Sequence, residues 1–358
     1  MDEVPRWVEE MGTVTLKDLA AELDLSVTTV SRALAGYSDV AEGTRQRVLK
    51  AAAEAGYVPD VTARRLQKGR TETIGFVIPT SGPRFSDPFF SELLAGIGNE
   101  AARHNFDLLV STRSPNTPEE QAAYRRMAEG RLVDGVLVVR TRVEDSRIAY
   151  LHEVDLPFVA FGRSDLGLDF PYVDEDSKCG LELVTQHLVD GGHQRLAFIS
   201  APEDLMFSAY RQAGLDAALQ RNGLAMPPAY RIVSDLTQHG GFKAMNELLA
   251  LSPPPTAVIC CNDLMALGAI TAAQKHGLIV GQDIAITGFD DIPLAEHSNP
   301  SLTTMRQPIY GIGCQICSLL VQLIQEEEPA ERHILKQPEL IVRESSGSGR
   351  VVEAGPCP

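Results

Sequence analysis

The 358-residue sequence contains no run of 18 apolar residues, so no membrane-spanning helix is expected. Its first stretch, "MDEVPRWVEEMG", is acidic and has no apolar h-region. A secretory signal is therefore not expected, and the cytoplasm is. No GxGxxG follows the first strand-like run and no G-x-x-x-x-G-K-[ST] occurs, which excludes the usual dinucleotide and P-loop sites. "GGHQR" (191–195) precedes a strand instead of following one, so it is no phosphate loop. The eight histidines show neither HExxH nor paired spacing, and the six cysteines show no metal-finger spacing. Neither a metal nor a cofactor is expected, and nothing in the chain asks for enzymatic turnover. The lone CxxC, Cys314 to Cys317, lies in an apolar helical stretch without thioredoxin-like surroundings. Buried, inert thiols are the expectation there.

Positive charge is also scarce. Lys and Arg number 32 against 48 Asp and Glu, a formal net charge of −16. That argues against wholesale nucleic-acid binding. The distribution is uneven, however. Residues 13–70 hold nine Lys/Arg and seven Asp/Glu, whereas residues 71–358 hold 22 and 37. The small N-terminal block is free of the negative excess.

That block follows an N-terminal extension at 1–12 and contains three short helical patterns. "TLKDLAAEL" puts Leu16, Leu19, Ala20 and Leu23 on one face, with Thr15 as N-cap. "SVTTVSRAL" puts Val27, Val30 and Leu34 on one face, with Ser26 as N-cap. "EGTRQRVLKAAAEAGY" turns Val48, Leu49 and Ala52 inward and stops at Gly56. Only "DLS" separates the first two helices, a turn short enough to force a steep helix-turn-helix crossing. Residues 13–59 therefore read as a small all-α domain, and 60–72 as a basic connector.

In the second helix each residue type suits a groove of DNA. Ser26 would cap the helix and turn its N–H groups toward phosphate. Val27 and Thr28 lie at the first exposed turn, where short side chains let a helix enter the major groove and a methyl can meet a thymine methyl. Thr29, Ser31 and Arg32 can hydrogen-bond phosphates or bases.

From Thr73 onward strand-like runs alternate with helices of 10 to 15 residues: "TIGFVIP", "FFSELLAGIGNEAARHN", "FDLLVST" and so on to "DIAITGFDD". This alternation means a parallel sheet, and the length suggests two doubly wound subdomains. Ligands of such folds bind outside the carboxyl ends of the strands. Residues 344–358, "ESSGSGRVVEAGPCP", read as a disordered tail without leucine heptads.

The chain resembles the LacI/GalR transcriptional regulators. "VTLKDLAAELDLSVTTVSRAL" is similar to the family pattern VT-x-x-D-V/L-A-x-x-x-G-V-S-x-x-TVSR, and "GYVPD" followed by "ARRL" to its third-helix exit and hinge. Asp24 replaces the usual turn glycine, which aspartate tolerates. Asp60 replaces the usual asparagine. The resemblance implies that Thr15, Ser26, Thr29, Ser31 and Arg32 contact operator DNA and that Val27 and Thr28 choose its sequence. It further implies a hinge helix over 60–67, with Leu66 wedged into the minor groove, and a homodimer reading two half-sites.

The same resemblance covers 73–343 as a two-lobed, periplasmic-binding-protein-like effector domain (type I). "DPFFSEL", "FGRSD", "YVDEDSKCG", "YRQAG", "CNDLMALG", "GFDDIP" and "LTTMRQP" match in order. It implies an effector site made of Phe89 and Phe90 as stacking groups, Arg163, Asp165, Arg211, Asn262, Asp290 and Gln307. Leu236 stands where the family often has an aromatic, which disfavours a flat purine. Aromatic faces with paired charged and amide groups suit sugars. The expected function is a repressor controlled by a sugar-like effector, a mono- or disaccharide such as an α-glucoside. The alternative, a sugar-binding protein of a transport system, would leave the first 70 residues without a role.

Overall fold

The structure, a computed structural model, describes residues 14–34, 36–57, 69–80 and 87–347. The chain forms two compact units that divide between Arg70 and Thr71.

Among the described residues the first unit holds three helices: α1 (Leu16–Leu23), α2 (Val27–Leu34) and α3 (Glu42–Glu54). Thr15 begins α1 with a capping box. Its N–H donates to Asp18 Oδ2 at 2.8 Å, and its hydroxyl oxygen accepts from the Asp18 N–H. Asp24 takes the left-handed conformation at φ 52° that the short turn requires. The core is Leu19, Ala20, Val30, Ala33, Val40, Val48, Ala51 and Ala52.

Two residues expected on the inner face point outward. Val27 is 41% exposed and Leu49 is 42% exposed. Helices this short bury only a narrow stripe. On α3 that stripe is Val48, Ala51 and Ala52, at i, i+3 and i+4, and Leu49 lies about 100° away. On α2 it is Val30 and Ala33. Val27, at the first position, leans toward the N-terminus beyond the neighbouring helices.

The second unit begins where the Thr71 and Glu72 N–H groups donate to the Asp134 carboxylate at 2.6 and 2.7 Å. It contains two six-stranded sheets. The first lobe comprises β1 (Thr73–Pro79), α4 (Pro88–Arg103), β2 (Asp107–Arg113), α5 (Pro118–Glu129), β3 (Gly135–Val139), α6 (Ser146–Glu153), β4 (Phe158–Phe161) and β5 (Tyr172–Glu175). The second comprises α7 (Ser177–Asp190), β6 (Leu196–Ser200), α8 (Met206–Arg221), β7 (Arg231–Val233), α9 (Gln238–Leu249), β8 (Ala257–Cys260), α10 (Asp263–Lys275), β9 (Ala285–Asp290), α11 (Pro293–His297) and β10 (Thr303–Arg306). The chain then returns to the first lobe with α12 (Ile309–Ile324) and β11 (His333–Lys336), and again to the second with β12 (Glu339–Ile341).

The sheet orders are β11-β5-β4-β3-β1-β2 and β12-β10-β9-β8-β6-β7. Among the described strands only β12, against β10, is antiparallel. β1 lies between β2 and β3, with Ile74 opposite Leu108 and Gly135. It is buried at every position, as the unbroken apolar run "TIGFVIP" requires of a strand covered on both faces. Three crossovers join the lobes, from β5 to α7, β10 to α12 and β11 to β12. Two of them are tied together where the Asp176 N–H donates to Lys336 O at 2.8 Å. The carboxyl ends of the two sheets face each other beside this hinge.

Cys314 and Cys317 lie on α12 within the first lobe. Cys317 is fully buried and burial pushes its thiol up to about 12, so it stays protonated. The expected tail begins later than Glu344. Residues Glu344–Ser346 form a 3-10 turn, Ser345 and Ser346 are buried, and Ser345 Oγ donates to Ile286 O at 2.6 Å. The polar serines that read as disorder are paying into a hydrogen-bonded seam against β9 and β10. Residues 348–358 lie outside the described residues, as do 58–68, which contain the expected hinge helix and Leu66.

Candidate functional site

On the first unit, α2 presents one exposed face. Val27 and Thr28 are exposed, while Ser31 and Arg32 are half-buried. Ser26 caps the helix, its Oγ accepting from the Thr29 N–H at 3.0 Å and lying 2.8 Å from Thr29 Oγ1. These two hydroxyls are engaged with each other, and Thr15 is engaged with Asp18. That leaves Val27 and Thr28 as the exposed side chains of the first turn of α2.

In the second unit the carboxyl ends of the strands line an open-mouthed cleft. Seven of the nine expected effector residues line it: Phe89, Arg163, Arg211, Leu236, Asn262, Asp290 and Gln307. Phe90 and Asp165 do not. Phe90 is 1% exposed and belongs to the core between α4 and the sheet, the adjacent helix position turning it about 100° from Phe89. Asp165 is exposed, its N–H bonded to Val143 O at 2.9 Å. Asp165 lies four residues past the end of β4, on the exposed part of the loop.

The apolar floor is a stacked pair. Phe89 and Phe161 lie 5.9 Å apart between ring centroids at an angle of 18°. Phe161 ends β4 and was not singled out from the sequence. Gly162 follows it at φ 117°, and a Cβ there would come within 2.3 Å of Thr141 Oγ1. Only glycine lets the chain turn against Thr141. Leu236 closes the opposite side in the left-handed region at φ 64°. Its carbonyl accepts from Asn262 Nδ2 at 3.0 Å, while Asn262 Oδ1 caps α10 through the Met265 N–H at 3.0 Å. Asn262 therefore shapes the wall as much as it offers a polar group.

The charged groups come in pairs. Arg163 Nε donates to Asp174 Oδ2 at 2.7 Å. Arg140 Nη2 donates to Asp87 Oδ2 at 2.8 Å, with its guanidinium 4.7 Å from the Phe90 ring centroid. Arg211 Nη2 lies 3.5 Å from Glu175 Oε1 and its Nε donates to Ser177 Oγ at 3.2 Å, while its Nη1 donates to Cys261 O. The Arg211 guanidinium is also 3.6 Å from the Phe289 ring centroid. Asp290 has no cation within ion-pair distance among the described residues, but accepts from Gln307 Nε2 at 2.6 Å. Burial raises the Asp290 carboxyl well above the usual range, and Arg211 opposes this only in part. Burial likewise pushes Glu175 up to about 7 against the pull of Arg211, and raises Asp174 against that of Arg163.

Three buried polar atoms on this cleft have no hydrogen-bond partner among the described residues: Arg163 Nη2, Glu175 Oε2 and Gln307 Oε1. Buried polar groups rarely stay unpaired. The Arg163 edge can only donate and the Gln307 oxygen can only accept, so together they point at a ligand that both accepts and donates.

Arg140, Thr141, Asp174 and Glu175 were missed from the sequence, although each stands at the end of β3 or β5 or directly after it. The rule that ligands bind at carboxyl ends would have found them once the strand ends were located. Phe207, in the first turn of α8, had no such signal.

A helix-turn-helix head with an exposed second helix, followed by a two-lobed parallel α/β body with a polar cleft, defines a DNA-binding transcriptional regulator. Residues 15–60 match the bacterial regulatory proteins of the lacI family, and residues 185–346 match the periplasmic binding protein-like domain. The HTH-type transcriptional regulator AglR of Rhizobium meliloti (strain 1021) is 40% identical over 338 residues, covering 93% of this chain and 94% of that protein. The solved complex of the transcriptional regulator CelR with cellobiose superposes with a TM-score of 0.72 at 32% identity, covering 93% of this chain and 99% of that one. The lac repressor dimer bound to operator and the anti-inducer ONPF gives 0.83 at 27% identity, with 94% and 100% coverage. The chain belongs to the LacI family of transcriptional regulators, which are not enzymes. Among the described residues no helix is long and apolar enough to cross a membrane.

Proposed function

We propose that this regulator is a homodimeric repressor whose hold on operator DNA is set by a neutral saccharide in the cleft. The observation that carries the ligand class is the set of three unpaired buried atoms, Arg163 Nη2, Glu175 Oε2 and Gln307 Oε1, beside the Phe89–Phe161 platform. Hydroxyl groups both donate and accept, and a pyranose C–H face stacks on an aromatic ring. The cleft guanidiniums of Arg140, Arg163 and Arg211 are each already paired, with Asp87, Asp174 and Glu175. An anionic ligand such as a sugar phosphate gains little there. A mono- or disaccharide fits, and an α-glucoside is the first to test, beside the cellobiose held by CelR.

The cleft draws on both lobes. Phe89, Arg163 and Glu175 come from the first, Arg211 and Asp290 from the second, and Gln307 from a crossover. A ligand touching all of them favours lobe closure. Closure is also supported away from the hinge, where the Met206 N–H donates to Thr141 O and the Val143 N–H to Asp204 O, both at 2.9 Å, and Asn116 Nδ2 donates to Asp204 Oδ2 at 2.7 Å. If closure alters how a dimer presents its two heads, saccharide and operator affinities are coupled, and each changes the other by the same factor. In this reading α2 enters the major groove, Val27 and Thr28 carry much of the operator choice, and Thr15, Ser26, Thr29, Ser31 and Arg32 contact the DNA backbone or bases. Leu66 of each subunit wedges the minor groove at the operator centre.

The test is a thermal-shift panel of neutral sugars and sugar phosphates, followed by operator titrations with and without each hit. A neutral sugar should raise the melting temperature, since it binds only the folded state, and should change operator affinity. A panel in which only anionic compounds bind would remove the neutral-saccharide reading.

A further inference from the structure

The turn after α2 folds back over the last turn of that helix. Gly36 sits at φ +77°, and its N–H donates to Ala33 O at 3.2 Å, while the Tyr37 N–H donates to Arg32 O at 3.1 Å. This is the Schellman pair of bonds, for which glycine supplies the left-handed residue. The turn is held from two sides. Val40 packs into the core of the head, and Arg45 of α3 donates from Nη2 to Tyr37 O at 2.6 Å. The result carries Tyr37 and Asp39 back beside Arg32.

The contacts there are specific. Arg32 Nε donates to Asp39 Oδ1 at 3.2 Å, and Arg32 Nη2 pairs with Asp39 Oδ2. The guanidinium carbon lies 4.8 Å from the Tyr37 ring centroid. The carboxylate therefore occupies the Nε–Nη2 side of the guanidinium and the tyrosine covers one face. What remains toward solvent is the end-on fork of Nη1 and the second Nη2 hydrogen.

We propose that Asp39 is a positioning residue that presents this fork of Arg32 to a guanine in the operator half-site. The inference rests on the DNA-reading role of α2. Arg32 is one helical turn after Thr28 and so shares its exposed face. Guanine offers two acceptors, O6 and N7, at the spacing of a guanidinium fork, whereas adenine replaces one of them with a donor. A phosphate is the weaker match. The Arg32–Asp39 pair is neutral as a unit, and its carboxylate would be brought toward a phosphate's negative charge, while a guanine edge carries no net charge. A long arginine side chain loses rotamer freedom on binding, and the Asp39 and Tyr37 contacts remove part of that loss beforehand.

The experiment selects operator half-sites from random duplexes with the full-length dimer, then repeats the selection with Arg32→Ala, Asp39→Ala and Asp39→Asn. Circular dichroism melts show that each head is folded. Wild type should require guanine at one position per half-site, preferring it over adenine by roughly ten- to hundredfold. Arg32→Ala should lose the preference at that position alone. Asp39→Ala should weaken it several-fold at the same position, and Asp39→Asn, which keeps the shape but not the charge, should fall between. The inference is overturned if Asp39→Ala tightens or weakens binding equally at all positions, which would make Asp39 a general electrostatic group. It is also overturned if the change falls at a different base pair, which would make Asp39 a reader in its own right. A wild-type protein that enriches no sequence at all would instead remove the DNA-binding reading itself.

Discussion

Arg211 of the second lobe and Glu175 of the first meet across the cleft, with Nη2 3.5 Å from Oε1 and both side chains buried. Removing one member of a buried pair strands the other, which typically costs about 3–5 kcal/mol. Arg211→Ala should lower stability by about that amount in urea melts and abolish the saccharide-induced thermal shift. Arg211→Lys should also lose the ligand, because an ammonium cannot serve Glu175, Ser177 and the Cys261 carbonyl from one plane. Operator binding in the absence of sugar should persist in both variants.

The raised carboxyls make stability depend on pH. Glu175 has a folded value of about 7 against an ordinary 4.5. Its contribution is therefore fully present below about pH 4.5 and is lost as pH rises through 7, at most about 3 kcal/mol. Asp263, buried behind Asp290 and also pushed up to about 7, acts in the same direction. Urea melts of the ligand-free protein at pH 5.5 and pH 8 should show lower stability at pH 8. Glu175→Gln should narrow the difference, and an unchanged difference would assign the pH dependence elsewhere.

The two adjacent phenylalanines should behave oppositely. Phe89→Ala opens the stacking platform and should cost sugar affinity with only a modest fall in melting temperature. Phe90→Ala empties a core position and should destabilise the second unit by about 3–5 kcal/mol. Calorimetric sugar titration beside thermal melts separates the two effects.

Arg163 and Asp165 lie two residues apart but only Arg163 faces the cleft. Arg163→Ala frees the buried Asp174 carboxylate and should lose sugar binding. Asp165→Ala should leave the dissociation constant within about twofold, since its side chain is exposed and lines nothing. Calorimetric titration of both variants against the same sugar provides the comparison.

On the head, Ser26→Ala removes an N-cap and should cost about 1 kcal/mol of stability in thermal melts. Thr28→Ala touches no cap and should instead change base preference in half-site selection. A Thr28 variant with wild-type preference would remove that residue from sequence choice.

Most of the architecture was legible because it rests on local rules. The helical spacing of Leu16, Leu19, Ala20 and Leu23, of Val27, Val30 and Leu34, and of Val48 and Ala52 located the three short helices. Alternating strand-like runs located the parallel sheets. Seven cleft residues were legible through the family resemblance, most of whose motif segments follow strands. Most of the errors concerned which way a residue faces. Leu49 and Val27 looked apolar enough to be inside, but three short helices leave room for only one stripe each. Phe90 and Phe89 are indistinguishable in sequence, and packing of α4 against its sheet sends one inward. The serines at 345 and 346 looked like tail residues until strands β9 and β10 supplied partners for their hydroxyls.

The sequence by itself determined the class of protein, the order of its elements and the positions of its special turns, because capping residues, glycines and hydrophobic period act over only a few neighbours. Tertiary structure alone decided the electrostatics of the cleft. The pairings of Arg211 with Glu175 and of Arg163 with Asp174 join residues on different segments of the chain. Raised carboxyl values come from burial between two lobes, and burial is a property of the packed molecule that no single segment carries.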